Sequence, residues 1–206
     1  YSDIGRAFGA QMVDISIGSK THINLLDLPD LDRLDDEDDD PIGDKANLLM
    51  GLFESILSEV TDAQIGIIDR VTGVTYERYL TDHYTPTLKE WHQVLKEQPE
   101  PEAQDLALAV ETYTTGSQDI FAHNTNVDLN HRFVIFNLKK LSHKLKPFAL
   151  MVIQDYIWNQ IVENQGKCTT WVYFDEMQIL FKNKAQADFF TTLYSRIRKY
   201  GAIPTG

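Results

Sequence analysis

The sequence predicts an α/β chain, a parallel sheet with flanking helices that carries an all-helical insertion, and three observations lead there. Residues 132–138 and 168–174 are each apolar on both faces, as strands covered on both sides of a parallel sheet are. A long helical pattern opening at Pro147 separates them, and strand, helix, strand is a βαβ unit, whose crossover is almost always right-handed. Residues 45–116, by contrast, hold four successive helical patterns and no strand.

Each element has a local reason. Within residues 1–28 a short helical piece ends at Gly9, and Val13, Ile15 and Ile17 then alternate with polar residues, as a strand with one covered face does, until Gly18 and Ser19. From Lys45 the residues Leu48, Leu49, Leu52, Phe53, Ile56, Leu57 and Val60 fall at helical spacing and form one apolar face. Thr61 with Gln64, and Thr87 with Glu90, place a hydroxyl and an acceptor three residues apart, the reciprocal arrangement that starts a helix. The first of these helices is expected to run towards Tyr79 and the second towards Glu97. Pro99 and Pro101 stop one helix and preset the next, on which Ala103, Leu106, Val110 and Tyr113 share a face and Gly116 supplies the end.

The helix from Pro147 is apolar nearly all round from Phe148 to Ile153 and continues through Tyr156, Ile157, Trp158 and Ile161 to about Asn164, closed by Gly166. Phe189, Phe190, Leu193 and Ile197 lie on a last helix, and residues 201–206 read as the entrance to another element. The organisation expected is therefore residues 1–40 as the first part of a core with an acidic loop, 41–125 as the helical insertion, and 126–206 as the rest of the core.

Composition bounds the function. With 206 residues, 43% hydrophobic, the chain can bury a sizeable core and is not a disordered protein. A net charge of −12 makes the chain as a whole a poor candidate for wrapping nucleic acid or lying on an anionic membrane. That charge is uneven: ten acids against Arg33 give residues 27–44 a charge of −9, leaving −3 elsewhere, and the acidic stretch reads as a solvated loop interrupted by Pro29 and Pro41. One cysteine, Cys168, makes no internal disulfide, fits a reducing compartment and reads as a small buried residue beside a strand. No run approaches the ~18 apolar residues of a membrane span. A start at Tyr1 without Met suggests a fragment of a longer protein.

In open α/β sheets the ligand site lies outside the carboxyl ends of the strands. Trp171, Val172, Tyr173 and Phe174 are followed there by Asp175 and Glu176. Successive residues at a strand end point in different directions, so one carboxylate can hold Mg²⁺ through its water shell while the other orients and deprotonates an attacking water. A polar strand cap is the plainer alternative. The last helix ends in a positive cluster in which Arg196 and Arg198, two apart, do not share a helical face. One can complement the helix dipole while the other points at a neighbouring subunit's nucleotide. Lys139, Lys140, Lys144 and Lys146 follow the first buried strand, as a solvated loop or a phosphate or nucleic-acid contact. The six histidines show no metal spacing, a single cysteine excludes a structural zinc site, and no nucleophile elbow occurs. No Gly-x-x-x-x-Gly-Lys-[Ser/Thr] phosphate cradle is present.

The order of these pieces resembles a known family. Residues 8–15 and 18–28, the helical pattern from Asp44 and Lys45 to Glu54, residues 121–129, the stretch from Leu145 to Trp158, the run Trp171 to Glu176, and residues 196–201 together look like the CagE/TrbE/VirB-type motor ATPases of conjugation and type IV secretion, in the HerA/FtsK group of RecA-like P-loop NTPases. The resemblance covers nearly the whole chain. It implies a partial RecA-like core that uses ATP and Mg²⁺, with Asp175 as the Mg²⁺ residue acting through water, Glu176 as the general base, and Arg196 or Arg198 as a trans-acting arginine. It also implies a homo-hexameric parent protein working in the cytoplasm at the inner face of the cell membrane, with other type IV secretion components as partners and a DNA contact among its interactions. The P-loop is expected upstream of Tyr1, so the 206 residues alone are expected neither to bind ATP tightly nor to hydrolyse it. A DNA-pumping coupling ATPase of the same systems and a non-catalytic helical interaction module are the alternatives.

Overall fold

The computed structural model describes residues 5, 7–33, 40–57, 59–127, 131–175, 187, 190–191 and 194–205. Four short strands form two parallel pairs. β1 (Gln11–Asp14) lies beside β2 (Val134–Asn137), and β3 (Thr170–Tyr173) beside β4 (Ala202–Thr205). Between β1 and β2 come α1 (Pro41–Ile56), α2 (Asp62–Tyr79), α3 (Leu88–Lys96) and α4 (Pro101–Thr114), and α5 (Leu145–Asn164) links β2 to β3. The end expected to enter another element is β4.

Local chemistry sets the helix starts. Gln64 N–H donates to Thr61 Oγ1 at 3.3 Å and Thr61 N–H to Gln64 Oε1 at 3.1 Å, so the first expected capping box opens α2. The second opens α3, with Thr87 N–H donating to Glu90 Oε2 at 2.8 Å. α1 differs from expectation, beginning at Pro41 rather than Lys45. Asp40 is its N-cap, accepting from Gly43 N–H at 2.9 Å, and Pro41 takes the first-turn position where no amide hydrogen is required. A Cβ at 43 would lie 2.3 Å from Asp40 Oδ2, so a larger residue there would displace the capping carboxylate. Leu57 is extended, so the apolar period runs past the helix end. α5 starts two residues before Pro147, with the Leu145 and Lys146 amides donating to Ser142 O at 3.1 and 3.0 Å.

Two apolar clusters hold these elements. The larger joins Val13 and Ile15 to Leu52 and Phe53 of α1, Ile68 and Val71 of α2, Trp91 of α3, Leu106 of α4, and Phe148 and Val152 of α5. The smaller packs the second half of α5, through Trp158, Ile161 and Val162, against Val172, Ile197, Tyr200 and Ala202. α5 therefore belongs to both, which is why it is apolar nearly all round: Met151, Val152 and Ile153 are all buried.

Three expectations are corrected. β2 and β3, read as one βαβ unit, lie in different pairs: α5 leads into β3, which pairs with β4, while β2 finds β1 across the whole helical region. β3 is covered on one face only, Val172 being buried while Trp171 and Tyr173 are 58% and 69% exposed and stack on each other at 6.4 Å. Cys168 is exposed. It precedes β3 in the turn after α5 and is not in the ladder. The last helix lies largely outside the described residues, where Ala187, Phe190, Thr191 and Tyr194 to Arg196 are helical.

His92 gives the helical region a pH dependence. It is buried, its Nε2–H donating to Ala107 O at 2.9 Å, and burial holds its pKa below the ordinary 6.5. A base that is harder to protonate when folded leaves stability intact above 6.5 and lowers it as pH falls through that value towards the folded pKa. Urea unfolding at pH 7.5 and 5.5 should show this loss. His92→Gln should flatten the slope between those two values, and an unchanged slope would remove His92 as its source.

Candidate functional site

The carboxyl end of β3 is built by the ladder itself. Phe174 N–H donates to Thr205 O at 2.9 Å, which extends the pairing one residue beyond Tyr173, and Asp175 is the next residue, exposed. Asp175 thus stands two residues beyond the last residue of β3, at its carboxyl end. Glu176 lies outside the described residues. Among the described residues no group of three or more His, Cys, Asp or Glu side chains is placed to hold a metal ion.

The arginine segment lies at the other end of the same pair. Gly201, at φ 77°, turns the chain from Tyr200 into β4, a left-handed conformation that glycine adopts without strain. The parallel register sets Ala202 beside Thr170, at the start of β3. Five residues of extended chain, about 16 Å at ~3.3 Å per residue, separate that level from Asp175. The segment carrying Arg196 and Arg198 thus enters β4 at the end of the strand pair opposite this chain's Asp175.

The two arginines have different surroundings. Arg196 Nη1 donates to Asp44 Oδ2, in the first turn of α1, at 2.7 Å. Its guanidinium sits 4.8 Å from the Trp158 ring centroid, and Trp158 is in turn braced edge-on by Tyr200 at 4.8 Å. Arg198 is exposed and has no side-chain partner among the described residues. Lys139, Lys140 and Lys144 are exposed and Lys146 half-buried, and none forms an ion pair among the described residues.

Two polar clusters have no counterpart in the sequence reading. In the first, Lys45 of α1 is paired with Asp155 of α5 inside the larger core, both side chains nearly inaccessible. Asp27 stands beside them, accepting from Thr125 Oγ1 and, at 3.1 Å, from Asn24 Nδ2, while Asn159 Nδ2 holds Asp27 O at 2.9 Å. Burial raises the Asp155 carboxyl above its ordinary range against the opposing pull of Lys45, and raises Asp27 against Thr125, Lys45 and Asn24. Tyr76, whose hydroxyl donates to Leu26 O at 2.7 Å, is pushed well up by burial and by the two carboxylates. The cluster ties the start of the acidic stretch to α1, α2 and α5. In the second, the rings of His22 and His123 lie 4.3 Å apart, and Asp119 binds His123 Nε2 at 2.8 Å and Lys89 Nζ at 3.2 Å. Burial pushes Asp119 up, but Lys89 and His123 outweigh it and hold the carboxyl below its usual range. Neither cluster has a sequence spacing, since their contacts join residues up to 132 positions apart.

No family model matches the chain, and no curated protein does. Among solved structures it is similar to VirB4 of Thermoanaerobacter pseudethanolicus, with a TM-score of 0.82 and 20% sequence identity over 99% of this chain and 82% of that one. The chain has that fold, including both the helical region and the parallel strand pairs.

Proposed function

We propose that this chain is the part of a conjugative type IV secretion ATPase that carries its Walker B strand, and that the whole protein uses ATP and Mg²⁺ to drive assembly of, or substrate movement through, a membrane-spanning transfer apparatus. The supporting observation is the fold likeness to VirB4 over 99% of the chain, with Asp175 at the carboxyl end of β3, where an α/β site is expected. Mg²⁺ prefers few carboxylates, several waters and substrate phosphates, and a single exposed carboxylate at a strand end fits that preference. In this reading Asp175 holds the ion's water shell and Glu176 orients the attacking water and takes its proton. ATP supplies the phosphoryl group when bound. The backbone cradle and Lys that grip its outer phosphates have no matching motif in the 206 residues. An arginine of the 196–198 segment reaches the nucleotide of a neighbouring copy in a homo-hexamer. Other type IV secretion components, a DNA contact and a cytoplasmic place at the inner face of the cell membrane, reached through partners, belong to the same proposal. No helix among the described residues is long and apolar enough to cross a membrane.

The test is Glu176→Gln in the full-length protein that contains this chain. Magnesium-dependent ATP turnover should be lost while nucleotide binding is retained, and unchanged turnover would favour a non-catalytic interaction module. The 206 residues alone should show no turnover, so measurable hydrolysis by them would overturn the assignment of the phosphate cradle to another part of the protein.

A further inference from the structure

Residues 196–201 carry two arginines that the structure treats differently, and the difference assigns their work. Arg196 is engaged within its own chain from two directions: Asp44 Oδ2 is 2.7 Å from Nη1, and Trp158 lies under the guanidinium at 4.8 Å. Asp44 belongs to α1, whose start is fixed by the Asp40 cap and whose next residue, Lys45, is buried against Asp155 of α5. Trp158 belongs to α5 as well. Two adjacent acid–base contacts therefore lock the beginning of α1 to α5 and to the Arg196 segment. Arg198, two residues on, is exposed and has no side-chain partner among the described residues.

Topology decides which nucleotide these arginines can meet. The parallel register puts the 196–201 turn at the amino end of β3, about 16 Å from Asp175 at its carboxyl end. That is farther than one arginine side chain extends, so a phosphate held beside Asp175 would be within reach of this turn only from another copy of the protein.

We propose that Asp44 is a positioning residue: with Trp158 it holds Arg196 as an intramolecular clamp, and the clamp presents Arg198 to a phosphate bound by a second copy of the full-length protein. The inference rests on the ATPase reading above. The pair itself is open to water, with the Asp44 side chain 50% exposed, so the clamp depends on the planar guanidinium satisfying the carboxylate and the face of the buried Trp158 ring together. Arg198, with no such partner among the described residues, is exposed and can direct its charge at phosphate.

The experiment uses the full-length protein. Arg198→Ala should lower kcat for MgATP by about 10³-fold, the order an inter-subunit arginine supplies. Mixing Arg198→Ala subunits with Glu176→Gln subunits should restore turnover that neither has alone, because intact sites then face intact arginines. Asp44→Asn should lower kcat roughly 10-fold at unchanged KM, a misplacement effect, and Asp44→Glu should restore it. Unfolding midpoints supply a readout independent of activity: Asp44→Ala and Arg196→Ala should each lower the midpoint, and the double variant should fall no further than the worse single. Parental turnover by Arg198→Ala, failure of the mixture to recover, a raised KM in Asp44→Asn, or additive midpoint losses would each overturn the inference. An unmodified protein without any turnover sinks the ATPase reading instead, and the midpoints then still decide whether the clamp exists.

Discussion

Replacing Lys45 with Met will cost about 3–5 kcal/mol of unfolding free energy at pH 7, because it strands the Asp155 carboxylate inside the larger core. Met fills the volume of the lysine stem, so the loss reports the uncompensated charge rather than a cavity. Changing both partners, Lys45→Met with Asp155→Leu, removes the charge and should recover most of the loss, since a buried ion pair and a well-packed apolar pair are of similar stability. Recovery should remain incomplete because Asp27, on which Lys45 also acts, keeps its buried carboxyl while losing that cation.

The same variant has a pH signature. Burial already raises the Asp155 carboxyl above its ordinary value of 3.8, with Lys45 opposing, so removing Lys45 raises it further. A carboxyl that binds its proton more tightly when folded favours the folded state as pH falls through the window above 3.8, and loses that benefit as pH rises. The deficit of Lys45→Met relative to the parent should therefore shrink from pH 7 to pH 5 in urea titrations. A deficit that is flat across this range, or below about 1 kcal/mol at pH 7, would show that the pair is solvated and not buried.

What was legible in the sequence follows from how local each determinant is. The capping boxes at Thr61 and Thr87 are complete within four residues, and both helices begin where those residues require. The start of α1 is equally local, Asp40 with Pro41, but the run of acids before it reads as loop, and periodicity counted from Lys45 places the start late. Position at the carboxyl end of β3 is legible for Asp175 because it needs only the strand's direction. Strand pairing is not, since β1 meets β2 across more than a hundred residues and β4 is only four residues long. The amino-end placement of Arg196 and Arg198 depends on that pairing, and so stays hidden until the register of β3 and β4 is known. Lys45 and Asp155 carry a signal in hindsight: each is a charge set in an otherwise apolar helical face, and two such charges of opposite sign call for one another.

Trp91→Ala is expected to cost about 3–5 kcal/mol, the range for deleting a large aromatic from a core that cannot collapse around the gap. Trp91 is fully buried, 5.3 Å from the Phe53 ring, and its Nε1–H donates to Thr72 Oγ1 at 3.0 Å, while that hydroxyl donates to Ile68 O at 2.7 Å. The chain of bonds makes the neighbouring substitutions unequal. Trp91→Phe removes the indole donor but leaves the Thr72 hydroxyl satisfied by Ile68 O, so it should lose clearly less than Trp91→Ala. Thr72→Val leaves the indole N–H buried without an acceptor and should cost about 1–3 kcal/mol despite being nearly isosteric. Because the cluster around Trp91 runs without a break from α1–α4 into Phe148 and Val152 of α5, the loss should appear in one cooperative transition, with far-ultraviolet circular dichroism and the fluorescence of the remaining tryptophans coinciding. Two separated transitions in Trp91→Ala would mean that the helical region melts by itself, and that the larger core couples it to β1 and α5 less tightly than their packing indicates.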